Sequence, residues 1–246
     1  MSMNLFGLLK CKGKNLLSGF NDYLFPSLCI LCDSIRDNEQ NWFCKECNDH
    51  LFQNSKLRSS CPRCGQNESI RKCSCHISWD YPFEKIYSIF DYDEHVQLIV
   101  KNIKYHGKKK LASALASYSP HITELKNSFD SIIPVPLHWT RFQKRGYNQA
   151  EWFAKGIAEH TGLTLLSNVL VRTRTTGTQT SLDRTERRNN MKKAFKVLDS
   201  IKETVTEKRM LLTDDVVTTG ATTASCAEAL LNAGCKSVSV VSIARD

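Results

Sequence analysis

Eight of the chain's eleven cysteines fall between positions 29 and 75, and none lies between 76 and 225. They come as Cys29-x2-Cys32, Cys44-x2-Cys47, Cys61-x2-Cys64 and a shortened Cys73-x-Cys75. A C-x2-C pair wraps two thiolates around one ion, and two pairs complete the tetrahedral shell that Zn²⁺ prefers at Zn–S distances of about 2.3 Å. The opening MSMNLFGLLKCKGKNLLSGF has no basic region ahead of its apolar stretch, which Lys10, Lys12 and Lys14 interrupt, so it does not read as a secretory signal. In that context clustered cysteines favour zinc over disulfides or an iron–sulfur cluster. Few apolar residues separate them, so residues 26–80 need such staples to fold. Sequential pairing gives the ligand sets Cys29, Cys32, Cys44, Cys47 and Cys61, Cys64, Cys73, Cys75. An interleaved pairing is the alternative, as is His50 or His76 in place of one thiolate. Four thiolates close each shell, which makes these sites structural and not catalytic.

Charge narrows the partners. The formal net charge is +9, and it is uneven. Residues 101–145 hold nine basic residues against two acidic ones, and 172–196 hold eight against two. Two basic clusters imply an anionic partner, polyphosphate or nucleic acid. The cysteine-rich segment is nearly neutral, with ten basic against eight acidic residues over 1–80, so it reads as a folding or docking module more than a DNA-binding one. No apolar run approaches the roughly 18–20 residues that span a bilayer. The expectation is a cytoplasmic protein without membrane insertion.

Beyond residue 80 the pattern alternates. A strand is expected at 86–91, helices at 94–104 and near 111–126, and a buried strand from Ser131 to Pro136. A helix follows at 148–161, ended by Gly162. Short strands are expected near 194–198 and at 210–213, a helix at 221–233 and a last strand at 237–243. Strands alternating with helices predict an α/β fold with a parallel sheet. The expected organisation is an N-terminal helical segment over 1–25, a double zinc ribbon over 26–80 and the α/β domain over 81–246.

The chemistry concentrates in Met210-Leu-Leu-Thr-Asp-Asp-Val-Val-Thr-Thr-Gly-Ala-Thr-Thr223. A buried strand delivers Asp214 and Asp215 to its C-terminal end, where ligands bind in open α/β sheets. A small-residue loop and a helix start follow, whose free N–H groups form an anion cradle. Carboxylates beside such a cradle repel a bare anion. They make sense where they hold sugar hydroxyls and Mg²⁺ while the cradle holds a phosphate a few ångströms away.

This segment resembles the phosphoribosyl diphosphate (PRPP) signature of type I phosphoribosyltransferases. The resemblance widens to the ComF family, associated with competence and DNA uptake in bacteria. It runs through Tyr23-Leu-Phe-Pro-Ser-Leu-Cys29, the cysteine pairs, Ile103-Lys-Tyr-His-Gly107, Pro134-Val-Pro-Leu-His138 and Arg145-Gly-Tyr-Asn-Gln149. It continues through Gln179-x2-Leu182, Arg187-Arg-Asn189, Ala194-Phe195, the signature itself and the closing Ala244-Arg-Asp. The fold it implies is a type I phosphoribosyltransferase-like parallel sheet flanked by helices, with a small N-terminal double zinc-ribbon module.

By that resemblance Asp214 and Asp215 bind ribose hydroxyls, while Thr218, Thr219, Gly220, Ala221 and Thr222 hold the 5′-phosphate. Arg141, Lys144 and Arg145 serve the diphosphate loop after the Pro134–Pro136 strand, with Lys104 a further phosphate ligand. Residues 172–193 take the place of a mobile lid, where Arg187 and Arg188 close on the diphosphate. The cofactors implied are two structural Zn²⁺, and Mg²⁺ with PRPP. The activity implied is Mg²⁺-dependent phosphoribosyl transfer in DNA uptake, and the partners are PRPP, single-stranded DNA and DNA-uptake helicase or recombination proteins. Two readings stay open, a transferase and a non-catalytic scaffold binding PRPP, nucleotide or single-stranded DNA. Tyr105, Trp139, Phe142 and Tyr147 supply the stacking groups that the second requires. Asn148 and Gln149 read equally well as a helix start.

Overall fold

The structure is a computed structural model and describes residues 26–38, 41–57, 61, 63–66, 73, 75, 80–173 and 194–246. The helical segment expected over 1–25 lies outside them. The chain forms two compact units, Met1–Asn48 and Asp49–Asp246. In the first, Leu28 and Ile35 form an antiparallel bridge around the Cys29–Cys32 turn. Cys44 and Cys47 stand at the start of helix α1 (Lys45–Leu57).

The second unit holds a parallel five-stranded sheet in the order β1-β7-β6-β2-β3. Its strands are β1 (Ile86–Asp91), β2 (Ser131–Pro134), β3 (Thr164–Leu165), β6 (Arg209–Val217) and β7 (Ser237–Arg245). A two-stranded antiparallel ribbon, β4 (Leu170–Arg172) with β5 (Phe195–Val197), stands apart from it. Between β1 and β2 run α2 (Glu94–Tyr105), α3 (Lys109–Ala114) and α4 (Ile122–Ser128). Between β2 and β3 run α5 (Trp139–Arg145) and α6 (Gln149–Thr161), and α7 (Ala221–Asn232) links β6 to β7. Among the described residues no helix is long and apolar enough to cross a membrane.

Parallel strands covered on both faces bury successive side chains, and β6 is buried from Met210 to Thr213 and β7 from Val238 to Ala244. The pleat divides β6 between two layers. Met210 and Leu212 join Cys226 and Leu230 of α7 and Val238 and Val240 of β7 in one core. Thr213 faces the opposite way, and its hydroxyl donates to the Ala150 carbonyl of α6 at 3.1 Å.

Two expected elements differ by more than two residues. The 210–213 strand extends to Val217, because β7 continues beside it as far as the Val217–Arg245 pair. The helix expected over 111–126 is broken into α3, a 3₁₀ turn at Leu115–Tyr118 and α4. Pro120 is the cause, since it pushes the preceding residue out of the helical region, and Ser119 is extended at φ −68°, ψ 117°.

The approach of α6 to α3 is close enough to exclude a side chain. A Cβ placed on Gly156 would lie 2.1 Å from the Ser113 carbonyl oxygen. Helix propensity favours Gly→Ala by about 1 kcal/mol, while forcing atoms into a packed interface costs about 1–3 kcal/mol. We therefore expect Gly156→Ala to lower the melting temperature. A variant as stable as the parent would refute this contact.

Candidate functional site

The cysteines form two four-sulfur clusters, Cys29, Cys32, Cys44, Cys47 and Cys61, Cys64, Cys73, Cys75. Within each, the ligand atoms all lie within 4.8 Å of one another. Four thiolates on one Zn²⁺ at about 2.3 Å stand about 3.8 Å apart, so both clusters fit the ion. The pairing is sequential.

The first turn of each cluster is the same structure made twice. Asp33 N–H donates to the Cys29 carbonyl and Gly65 N–H to the Cys61 carbonyl, each at 3.0 Å. Cys29 N–H donates to Ser34 O and Cys61 N–H to Gln66 O, each at 2.8 Å. The residue after the first C-x2-C of each cluster is left-handed, Asp33 at φ 57° and Gly65 at φ 67°. Gly65 has a second reason to be glycine, because a Cβ there would meet the Ile86 carbonyl oxygen at 2.8 Å. Arg63 O in turn accepts from Ile86 N–H at 2.8 Å, so this turn is bonded to the start of β1. We expect purified protein to contain zinc in both clusters and Cys61→Ser to retain about half of it by elemental analysis. Undiminished zinc in that variant would overturn the assignment.

The second site opens at the C-terminal end of β6, where α7 begins. Val217, Thr218, Thr219, Gly220, Ala221 and Thr222 line a small cradle together with Asp214. Gly220 precedes α7 in the left-handed conformation at φ 72°, and Ala221 N–H donates to Thr219 Oγ1 at 3.4 Å. The cradle shares Asp214, Val216 and Thr222 with a larger cleft of about 230 Å³. That cleft is also lined by Asp215, Lys104, Arg141, Arg145 and Arg172, and by Asn148, Gln149 and the Val135–Leu137 loop.

Its two walls carry opposite charge. On the acidic wall Asp215 N–H donates to Asp214 Oδ1 at 2.8 Å, and Lys104 Nζ lies 3.1 Å from Asp215 Oδ2. Burial, then the charge of Asp215, pushes the Asp214 carboxyl up to about 7. On the basic wall Arg172 is lowered by burial and then by the charge of Arg141. His138 is lowered by burial and then by Arg172 and Arg141. These cations crowd one another, and Arg141 makes no ion pair among the described residues.

Helix starts build the basic wall. His138 caps α5, accepting from Thr140 N–H at 3.3 Å. Asn148 caps α6 by accepting from Ala150 N–H at 3.1 Å, and its Nδ2 donates to the Val135 carbonyl at 2.9 Å. It therefore starts the helix and ties down the β2–α5 loop. Gln149 is buried and accepts from Arg145 Nη1 at 3.0 Å, which orients that guanidinium.

Of the residues singled out from the sequence, Asp214, Asp215, Thr218, Thr219, Gly220, Ala221, Thr222, Lys104, Arg141 and Arg145 come together here. Lys144 is exposed in the last turn of α5 and does not line the cleft. Arg187 and Arg188 lie outside the described residues. Arg172 was not foreseen, since a lone arginine on a three-residue strand carries no motif.

A parallel sheet with an acidic pair and a helix-start cradle at its C-terminal end defines a type I phosphoribosyltransferase-like domain, here with two four-cysteine clusters preceding the sheet. No family model matches the chain. It is 30% identical over 228 residues to the "DNA utilization protein YhgH" of Salmonella typhi, an alignment covering 89% of this chain and 97% of that protein. It is 27% identical over 230 residues to "Competence protein F" of Haemophilus influenzae, covering 90% and 98%. The chain belongs to the ComF family. Among solved structures it is similar to a glutamine PRPP amidotransferase from B. subtilis at 22% identity and a TM-score of 0.35. That alignment covers 55% of this chain and 26% of the other, and adds nothing to the topology described above.

The raised Asp214 has a thermodynamic consequence. Its native carboxyl holds a proton up to about pH 7, whereas an ordinary aspartate loses it near 4. Its contribution to stability is full below about pH 4 and is lost as pH rises toward 7. Asp214→Asn removes that loss. The variant should match the parent in melting temperature near pH 4 and exceed it at pH 8, and a difference that does not grow with pH would contradict this electrostatic picture.

Proposed function

We propose that this chain binds PRPP with Mg²⁺ in the cleft and transfers its phosphoribosyl group to an acceptor nucleophile, within a cytoplasmic DNA-uptake process. The observation that supports this is the opposition of walls: a carboxylate pair faces a cluster of arginines across one cleft, beside an N–H-lined cradle. PRPP has the matching pattern of ribose hydroxyls flanked by a 5′-phosphate and a diphosphate. In this reading the Thr218–Thr222 loop holds the 5′-phosphate, and Asp214 and Asp215 accept from the ribose hydroxyls. Lys104, Arg141, Arg145 and Arg172 face the diphosphate. Lys144 and, by the family resemblance, Arg187 and Arg188 bind the diphosphate.

The bond from the anomeric carbon to diphosphate oxygen breaks, its electron pair leaves with the diphosphate, and the acceptor forms the new bond to that carbon. The transition state is oxocarbenium-like, as in glycoside cleavage. Arginines aimed at the departing oxygens stabilise the charge that develops there. Asp214 and Asp215 would hold Mg²⁺, which when bound neutralises leaving-group charge.

A second reading, a nucleotide- or single-stranded DNA-binding scaffold, draws on the rim. Helix α5 buries none of its residues. Trp139 is 60% exposed, Phe142 49% and Tyr105 65%, and Arg145 stands 5.3 Å from the Tyr105 ring centre. Stacking platforms beside arginines suit unpaired bases. Tyr147 is buried, with its hydroxyl donating to the Ile103 carbonyl, and offers no face.

Calorimetric titration of the zinc-loaded protein separates these readings. Mg²⁺-dependent PRPP binding that Asp214→Asn/Asp215→Asn abolishes, with diphosphate released in the presence of an acceptor, is the expected result. Binding of an oligonucleotide without any PRPP binding by the folded parent would replace the transferase with the scaffold.

A further inference from the structure

The phosphate loop is braced from outside by two side chains that belong to neither the acidic pair nor the basic wall. Arg245, at the end of β7, donates through Nη1 to the Val217 carbonyl at 2.9 Å and also to the Thr218 carbonyl. Tyr81, six residues beyond the last cluster cysteine, donates its hydroxyl to the Thr219 carbonyl at 2.8 Å. Three successive carbonyls of the loop are thus taken up by donors.

Peptide geometry gives this a consequence. Within one trans peptide unit the C=O and N–H point in opposite directions. Carbonyls drawn toward Arg245 and Tyr81 turn the N–H groups of Thr218, Thr219 and Gly220 the other way. Among the described residues no hydrogen bond occupies the N–H of Thr219 or Gly220. Successive N–H groups turned to one side of a turn make an anion-binding concavity.

The Thr219–Gly220 peptide is the weak point of such a loop. Gly220 is left-handed and carries no Cβ, so little else resists rotation of that peptide plane. Rotation would present a carbonyl to the phosphate in place of an N–H, exchanging an attractive contact for a repulsive one. Tyr81 opposes this twice. Its hydroxyl holds the Thr219 carbonyl, and its ring fills the space above Gly220, where a Cβ would lie 3.0 Å from Cε1. The ring is itself held, stacking on buried Phe83 with centroids 5.0 Å apart and planes 16° from parallel.

We propose that Tyr81 and Arg245 are positioning residues for the phosphate loop, locking its N–H groups toward the ligand and thereby setting the affinity for the 5′-phosphate in particular. This rests on the PRPP reading of the cleft. The two ends of PRPP can be probed apart, with ribose 5-phosphate for the cradle and inorganic diphosphate with Mg²⁺ for the basic wall. Tyr81→Phe keeps the stacked ring and removes only the hydroxyl. By calorimetry it should bind ribose 5-phosphate about fivefold more weakly, the value of one hydrogen bond, with diphosphate affinity and melting temperature unchanged. Arg245→Gln should weaken ribose 5-phosphate binding in the same selective way. Parental affinity for ribose 5-phosphate in both variants would overturn the proposal, as would a parallel loss of both ligands, which marks a merely structural role. A parent that binds neither probe would instead remove the PRPP reading, and the proposal with it.

Discussion

The site is organised by one constraint, the pairing of β6 with β2 on one side and β7 on the other. That pairing fixes the backbone of Asp214 and Asp215, which remain within the strand. Because successive residues of a strand face opposite ways, the two carboxylates diverge. Asp215 meets Lys104 of α2, while Asp214 is close enough to α7 for its charge to help raise the Cys226 thiol. The acidic wall therefore owes its shape to the pleat. The cradle follows directly because the strand ends two residues after Asp215 and α7 starts within four more.

Holding these groups in one place costs electrostatic energy. A buried carboxyl beside a second carboxylate is driven toward its protonated form, and on the facing wall burial, then the charge of Arg141, lowers Arg172. Of the two carboxylates, Asp215 is paired with Lys104 at 3.1 Å. Strain of this kind is expected where a ligand brings the missing charges. A ligand anionic at two ends and rich in hydroxyls between them suits both walls at once.

The cysteine clusters bear on the site less directly. Both use one turn, with matching hydrogen bonds at Asp33 and Gly65. The second turn bonds to β1, the edge strand beside β7. Tyr81, which braces the phosphate loop, lies on the same short stretch between Cys75 and β1. The second cysteine turn and the tyrosine that braces the cradle are thus linked through one short stretch of chain.

Much of this was legible in the amino-acid order, because local chemistry forced it. Cysteine spacing determined the pairs, since a C-x2-C turn presents two thiolates to one ion, while which pairs share a cluster was decided by the fold. The run from Met210 to Thr223 determined the strand, acidic pair, cradle and helix, because each follows the last without a gap. Proline at 120 was equally local, and its break between α3 and α4 was there to be read. What only the tertiary structure decided was which distant side chains face the cleft. Arg172 reaches it from a ribbon outside the sheet, Tyr81 and Arg245 meet the loop from 138 and 27 residues away, and Lys144 does not line the cleft although Arg141 and Arg145 on the same helix do. Such choices depend on how strands are ordered and helices rotated, and those are settled by packing across the whole sheet, which no local stretch of sequence contains.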